Sequence, residues 1–422
     1  MNSIILISFV LGYVFIAFEH KIQINKAATA LITGVVCWTA YILLGSDAHL
    51  VSEQLTEHLA EAAGILFFLL GAMTIVELID AHDGFEIITS RITSTDKRIL
   101  LWIVSLVAFF LSAILDNLTT AIVMVSLVRK LLSDKNDRMM FLGMVIIAAN
   151  AGGAWSPIGD VTTTMLWIGG QVTSGNIILK LILPSIACLI VPLTITTFTM
   201  KGNVEKRKSD THLMNTTALE RGFIFWSGIL ILVFVPVFKT ITHLPPYMGI
   251  LLGLGILWVL TEIIHKKKND EDKSNLSVVH AIRKADTPSV LFFLGILLAI
   301  GALQSTGQLN DLAHLLDEKI GNIDQIALSI GLLSSVVDNV PMVAGAMGMY
   351  DLQTYPTDHY FWEFLAYAAG TGGSVLIIGS AAGVAVMGLE KIDFFWYLKK
   401  ISWLALIGYF CGAAVYILEH NI

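Results

Sequence analysis

Ser112-Ala-Ile-Leu-Asp-Asn-Leu-Thr-Thr-Ala-Ile-Val-Met124 sinks an Asp-Asn pair into otherwise apolar sequence. Ser334-Ser-Val-Val-Asp-Asn-Val-Pro-Met-Val-Ala-Gly-Ala-Met347 repeats the theme. Placing Ser112 on Ser334 puts Asp116 on Asp338 and Asn117 on Asn339, an offset of 222 residues. An ionised Asp at the centre of a membrane helix costs roughly 2.5–3.5 kcal/mol on insertion scales. Two of them in matching settings point to an ion site shared by two related halves of a transporter.

The setting is a membrane. Of 422 residues, 55% are hydrophobic and 14% charged, and the mean hydropathy is +0.76. A soluble domain carries about 25% charged residues, so the chain reads as a polytopic membrane protein whose partner is the lipid bilayer. The net charge of −7 is not gathered in a tail, and no basic, aromatic-interleaved patch offers itself to nucleic acid. Cys37, Cys188 and Cys411 each sit alone in apolar runs and read as packing residues. No cofactor is expected. The first 18 residues carry no charged side chain, so they read as a retained span and not as a signal peptide.

Apolar stretches long enough to cross a bilayer fall near 2–19, 27–45, 62–80, 176–200, 222–239, 246–264, 287–306 and 396–418. Basic residues cluster at 21–26, 91–98, 129–138, 201–208, 266–273 with 283–284, and 391–400, whereas 46–61, 351–358 and the C-terminus have none. Placing the basic set in the cytoplasm puts both termini outside. The segment at about 99–130 is then basic on both flanks, at Lys97, Arg98, Arg129 and Lys130. A re-entrant helical hairpin that turns near Asp116 satisfies both flanks, and arms of about 15 residues reach the midplane. The second copy, at about 323–350, is flanked by Asp324 and Asp351 and enters from outside. The expectation is all-α, with two inverted-topology repeats over 1–208 and 222–422. Each has about five spans, one hairpin and one discontinuous helix, the organisation of secondary transporters.

The discontinuous helices lie at about 139–172 and 360–389. Asn150-Ala-Gly-Gly-Ala-Trp-Ser-Pro-Ile-Gly-Asp160-Val-Thr-Thr-Thr164 combines helix breakers with polar oxygens. Its partner, Gly370-Thr-Gly-Gly-Ser-Val-Leu-Ile-Ile-Gly-Ser380, aligns Ser380 with Asp160, so only the first half has a carboxylate there. Broken backbone at membrane depth survives where it is buried in protein or lines a cavity. The candidate ligands are Asp116, Asn117, Asn150, Asp160, Thr162, Thr163, Asp338 and Asn339, with Ser156 weaker. Glu77, at the inner end of its span, reads as interfacial or as a further ligand. No Lys or Arg stands in these segments, which argues against an anionic substrate and for a hard cation such as Na⁺ held by Asp116, Asp160 and Asp338. Protons compete for the same oxygens, because neighbouring carboxylates in low dielectric do not all stay ionised. That competition is the minimal chemistry of an antiporter. A structural alternative attends each residue: Asp is a good N-cap, and Ser and Thr back-bond within helices.

Four motifs carry a family resemblance. Leu69-Leu-Gly-Ala-Met-Thr-Ile-Val-Glu-Leu-Ile-Asp-Ala-His-Asp-Gly-Phe85, Asp116-Asn-Leu-Thr-Thr120, the run Asn150 to Thr163, and Ser334-Ser-Val-Val-Asp-Asn-Val-Pro341 resemble the NhaD-type Na⁺/H⁺ antiporters of the ion transporter superfamily. The resemblance implies extrusion of Na⁺ and Li⁺ in exchange for protons at a bacterial inner membrane. It also implies a homodimer in which a mobile part moves against a scaffold. By position it assigns transport to the eight residues above, with Ser112, Ser334 and Ser374 as weaker matches. Efflux of arsenite or another small oxyacid by a related carrier, and an uncoupled channel, are the rival readings.

Overall fold

The computed structural model describes residues 2–17, 19–44, 47–92, 94–204, 216–266 and 268–420. The first half contains α1 (Asn2–Ala17), α2 (Lys26–Leu43), α3 (Ala48–Ala81), α4 (Lys97–Leu115), α5 (Asn117–Leu131), α6 (Lys135–Ala154), α7 (Val161–Ile168) and α8 (Ser174–Thr199). The second contains α9 (Ala218–Thr242), α10 (Pro246–His265), α11 (Thr287–Ser305), α12 (Gln308–Lys319), α13 (Ile323–Leu333), α14 (Asn339–Met349), α15 (Tyr360–Gly372), α16 (Ala381–Glu390) and α17 (Ser402–His420). Short helical segments join some of these. Among the described residues there is no strand, and eight helices (α2, α3, α4, α8, α9, α10, α11 and α17) are long and apolar enough to cross a membrane. The chain is a multi-pass membrane protein.

Local chemistry sets the boundaries. Asp47, Asp96, Asp134, Asp286 and Asn322 each cap the helix that follows by accepting a backbone N–H. Thr217 and Glu220 form a reciprocal capping box at the start of α9. Two boundaries differ from the sequence reading. Residues 48–61, expected to lie between spans, continue α3 outward into a helix of 34 residues. Polarity there marks where the apolar stretch stops, while Asp47 and good helix formers decide where the helix begins. The last stretch divides into Phe394–Lys400 and α17, with Ile401 between them.

The helices pack as two bundles. α1, α2, α3, α9, α10 and α11 form one, and α4 to α8 with α13 to α17 form the other. Within the first, α2 and α11 touch backbone to backbone: a Cβ on Gly34 would lie 2.7 Å from Gly295 O, and one on Gly295 would lie 2.4 Å from Ala30 C. Contacts of α14 with α11 and of α7 with α3 join the two bundles.

Charged pairs sort the ends of the molecule. Lys97, opening α4, pairs with Asp137 just beyond α5 at 2.6 Å, so the α4–α5 segment starts and finishes at the same end. Arg129 and Arg138 reach Glu390 at that end, at 2.7 and 2.5 Å. At the opposite end Tyr360 donates to Asp324 at 2.5 Å, which brings together the starts of α15 and α13. Also at the basic end, His82 and His265 stack with centroids 5.0 Å apart and Nε2 atoms 3.1 Å apart. Burial pushes the His82 imidazole down to about 4.

Candidate ion-binding site

The two Asp-Asn turns meet at Asp160. Asp116 joins α4 to α5, Asp338 caps α14, and Asp160 caps α7, so three helices begin within one small region. A fourth, α16, begins at Ser380. Positive helix ends favour negative charge, which suits a cluster of carboxylates.

Asp160 is buried. Its Oδ1 accepts the Thr162 N–H at 2.9 Å and the Thr162 hydroxyl at 2.7 Å. Its Oδ2 accepts Asn117 Nδ2 at 2.5 Å, and Asn339 Nδ2 stands 3.4 Å from both oxygens. Asn117 Nδ2 also donates to Asn150 Oδ1 at 3.1 Å, and Asn150 Nδ2 donates to Ser374 and Ser380 hydroxyls, each at 2.9 Å. One connected network therefore ties the turn at Asn117, both discontinuous helices and the turn at Asn339 to a single carboxylate. Among the described residues no buried side-chain atom of this network lacks a partner, the condition under which a buried polar network is rigid.

The remaining hydroxyls hold the broken backbone. Ser112 donates to Ala149 O at 2.6 Å and Ser334 to Ala369 O at 3.0 Å. Ser156 donates to Ala113 O at 2.5 Å and Thr163 to Ala154 O at 3.4 Å. The glycines repeat a spacing of their own. A Cβ on Gly152 would lie 2.1 Å from Phe109 O, and one on Gly372 would lie 2.0 Å from Gly331 O. Only glycine permits that approach. Glu77 lies apart from the cluster, 3.6 Å from Lys284 at the basic end.

The aspartates of the two turns have different partners. Asp116 accepts the backbone N–H and the hydroxyl of Thr119, both at 2.8 Å. Asp338 Oδ1 accepts Val340 N–H at 3.4 Å, and its Oδ2 pairs with Lys26 Nζ at 2.8 Å. Sequence reasoning missed Lys26, because it was counted with the basic flank at 21–26. The premise that no cation stands near the carboxylates is therefore corrected: one does, from another part of the chain. The available signal was a mismatch between the halves, since Met248 stands 222 residues on from Lys26.

A citrate transporter family model (CitMHS) matches residues 13–372. Sodium/proton antiporter 1 of Arabidopsis thaliana is 49% identical over 98% of this chain and 72% of its own length. Sodium/proton antiporter 2 of the same plant is 46% identical over 98% of each chain. The Na⁺/H⁺ antiporter NhaD of Vibrio cholerae is 30% identical over 99% of this chain and 91% of its own length. The chain belongs to the NhaD-type family of the ion transporter superfamily. Its relatives in that family come from a plant and from bacteria, and they are named as transporters.

Proposed function

We propose that this protein exchanges Na⁺, and Li⁺, for protons across a membrane, with ion and proton competing for intramembrane carboxylates. The observation that carries the reading is the buried Asp160 carboxylate, held by Asn117 and Asn339 from the two turns. Asp160 is the central ligand, with Asp338 and Asp116 on either side of it. Na⁺ binds when these groups are ionised, and protonation on the opposite face releases it. The amides hold the carboxylate by its oxygens and offer carbonyl oxygens of their own. The names of the relatives support Na⁺ and H⁺ as the exchanged ions.

The architecture proposed with it is two inverted repeats, over 1–208 and 222–422, with re-entrant hairpins at α4–α5 and α13–α14. Matched contacts support it: Ser112 to Ala149 O and Ser334 to Ala369 O, Gly152 on Phe109 and Gly372 on Gly331. The bundle carrying both hairpins moves against the other. A bacterial inner membrane, both termini outside and a homodimer complete the proposal.

The test is Na⁺-dependent dequenching of a pH dye in everted vesicles. Asp160→Asn keeps a cap for α7 but lacks the charge, and exchange should fall to background at every Na⁺ concentration. Full exchange by this variant would overturn the assignment. Exchange driven by arsenite and not by Na⁺ in the unmodified protein would overturn the substrate.

A further inference from the structure

Lys26 opens α2, where its N–H donates to Glu19 Oε1 at 3.1 Å and Asn25 caps the helix by accepting Ala27 N–H at 2.8 Å. Its ammonium lies 2.8 Å from Asp338 Oδ2 and 4.3 Å from the centre of the Phe292 ring on α11. Two small cavities meet at this side chain. One, of about 30 Å³, is lined in part by Asp116, Asn117 and Phe68. The other, of about 40 Å³, is lined in part by Tyr13, Glu19 and Asp338. The Tyr13 hydroxyl is buried and has no hydrogen-bond partner among the described residues, so the second cavity has a polar atom to offer a visitor. Each cavity has room for about one water-sized particle.

The placement crosses the boundary between the bundles. Lys26 and Phe292 belong to α2 and α11, which the Gly34–Gly295 contact locks together. Asp338 belongs to the turn between α13 and α14 in the other bundle. Lys26 is in contact with the candidate carboxylate of Asp338, whose side chain is only 12% exposed. A carboxylate so placed needs a counter-charge, since breaking such a pair by removing one partner leaves an uncompensated charge. The ammonium of lysine is a compact point charge on a flexible stem. It can leave a carboxylate without dismantling anything else.

We infer that Lys26 is the built-in counter-cation of the transport site: its ammonium occupies the Asp338 carboxylate in the ion-free carrier, and arriving Na⁺ displaces it. This rests on the exchange reading and adds to it a residue that sets the apparent affinity for the transported ion. Lys26 acts through Asp338 and is a positioning residue. While paired, it also fastens the two bundles together, so loading and unfastening are one event.

The experiment compares Lys26→Gln and Lys26→Arg with the unmodified protein, in everted vesicles at fixed pH, over a range of Na⁺ concentrations. Without a resident cation to displace, K26Q should reach half-maximal exchange at about fivefold lower Na⁺ or less, equivalent to roughly 1 kcal/mol. K26R, with a positive fork that grips a carboxylate in two places, should need at least as much Na⁺ as the unmodified protein. A purely structural lysine would give no such ordering. Because K26Q can bind Na⁺ without turning over, the Na⁺ midpoint for thermal stabilisation of the purified protein is measured alongside and should shift the same way. If K26Q does not fold, Lys26→Met, which keeps the stem over Phe292, carries the same expectation. A midpoint that is unchanged or higher in the neutral variant overturns the role of Lys26. An unmodified protein that fails to respond to Na⁺ in either assay removes the exchange reading itself.

Discussion

The turn at Asp116 and the turn at Asp338 begin from the same two residues and end with different partners. The first satisfies itself, because Thr119 supplies both donors to Asp116 from within α5. The second depends on a distant residue, Lys26, 312 positions away. Their backbones differ too. Asp116 has φ +87° and ψ 158°, a region that is essentially glycine's own, whereas Asp338 has φ −44°. The arms of the first turn have 19 and 15 residues and those of the second have 11 each. Only the first turn faces a carboxylate on its own half, Asp160, and that carboxylate serves both. The same Asp-Asn pair stands in both turns, and unlike partners give the two carboxylates unlike surroundings.

Four expected outcomes bear on that contrast. The largest concerns what the turns share. Gly152→Ala and Gly372→Ala each drive a Cβ to about 2 Å from a carbonyl oxygen, and each should cost about 3 kcal/mol or more, seen as lost yield of monodisperse protein. A tolerated alanine at one position alone would break the equivalence of the two halves.

Next come the amides. Asn117→Ala removes a 2.5 Å hydrogen bond to Asp160 and a 3.1 Å one to Asn150, whereas Asn339→Ala removes only two long contacts of 3.4 Å to Asp160. A hydrogen bond to a charged group is worth about 1.5–3 kcal/mol, so N117A should slow exchange about a hundredfold and N339A no more than about tenfold. Equal losses would show that the two turns hold Asp160 alike.

A smaller contrast lies in the backbone. Asp116→Gly relieves a conformation that costs about 1–3 kcal/mol and gives up a cap worth about 1 kcal/mol. Its melting temperature should match or exceed that of the unmodified protein although exchange is lost. Asp338→Gly relieves nothing and should melt lower. The smallest effect is expected of Ser380→Ala. Asn150 would keep Ser374 as an acceptor, so exchange should fall only about threefold, within about 1 kcal/mol. A complete loss would make Ser380 a ligand and not a support.

Most of this arrangement was legible in the sequence. The Asp-Asn pairs, the Gly-rich interruptions and the basic flanks anticipate the paired helices and their breaks to within a few residues, because each rests on a local cost: a charge in apolar sequence, a glycine or proline in a helix. Two things were not legible. Which carbonyl a hydroxyl chooses, as Ser156 chooses Ala113, depends on packing between helices and leaves no periodic mark. Lys26 looks like any basic residue flanking a span, and only the folded chain puts it beside Asp338. The length of α3 was hidden for a related reason: polar, helix-forming residues extend a helix and end a hydrophobic stretch at the same place.

The glycine contact between α2 and α11 carries a last consequence. Where two helices meet with only hydrogen atoms between their backbones, no side chain can change rotamer to let one slide past the other. Slippage along that line would collide main chain with main chain at once. In the exchange proposed above, that makes the pair the fulcrum, the stationary bar against which the other bundle would pivot. Lys26 stands near one end of that bar, where a small rotation of the opposing bundle gives the greatest travel.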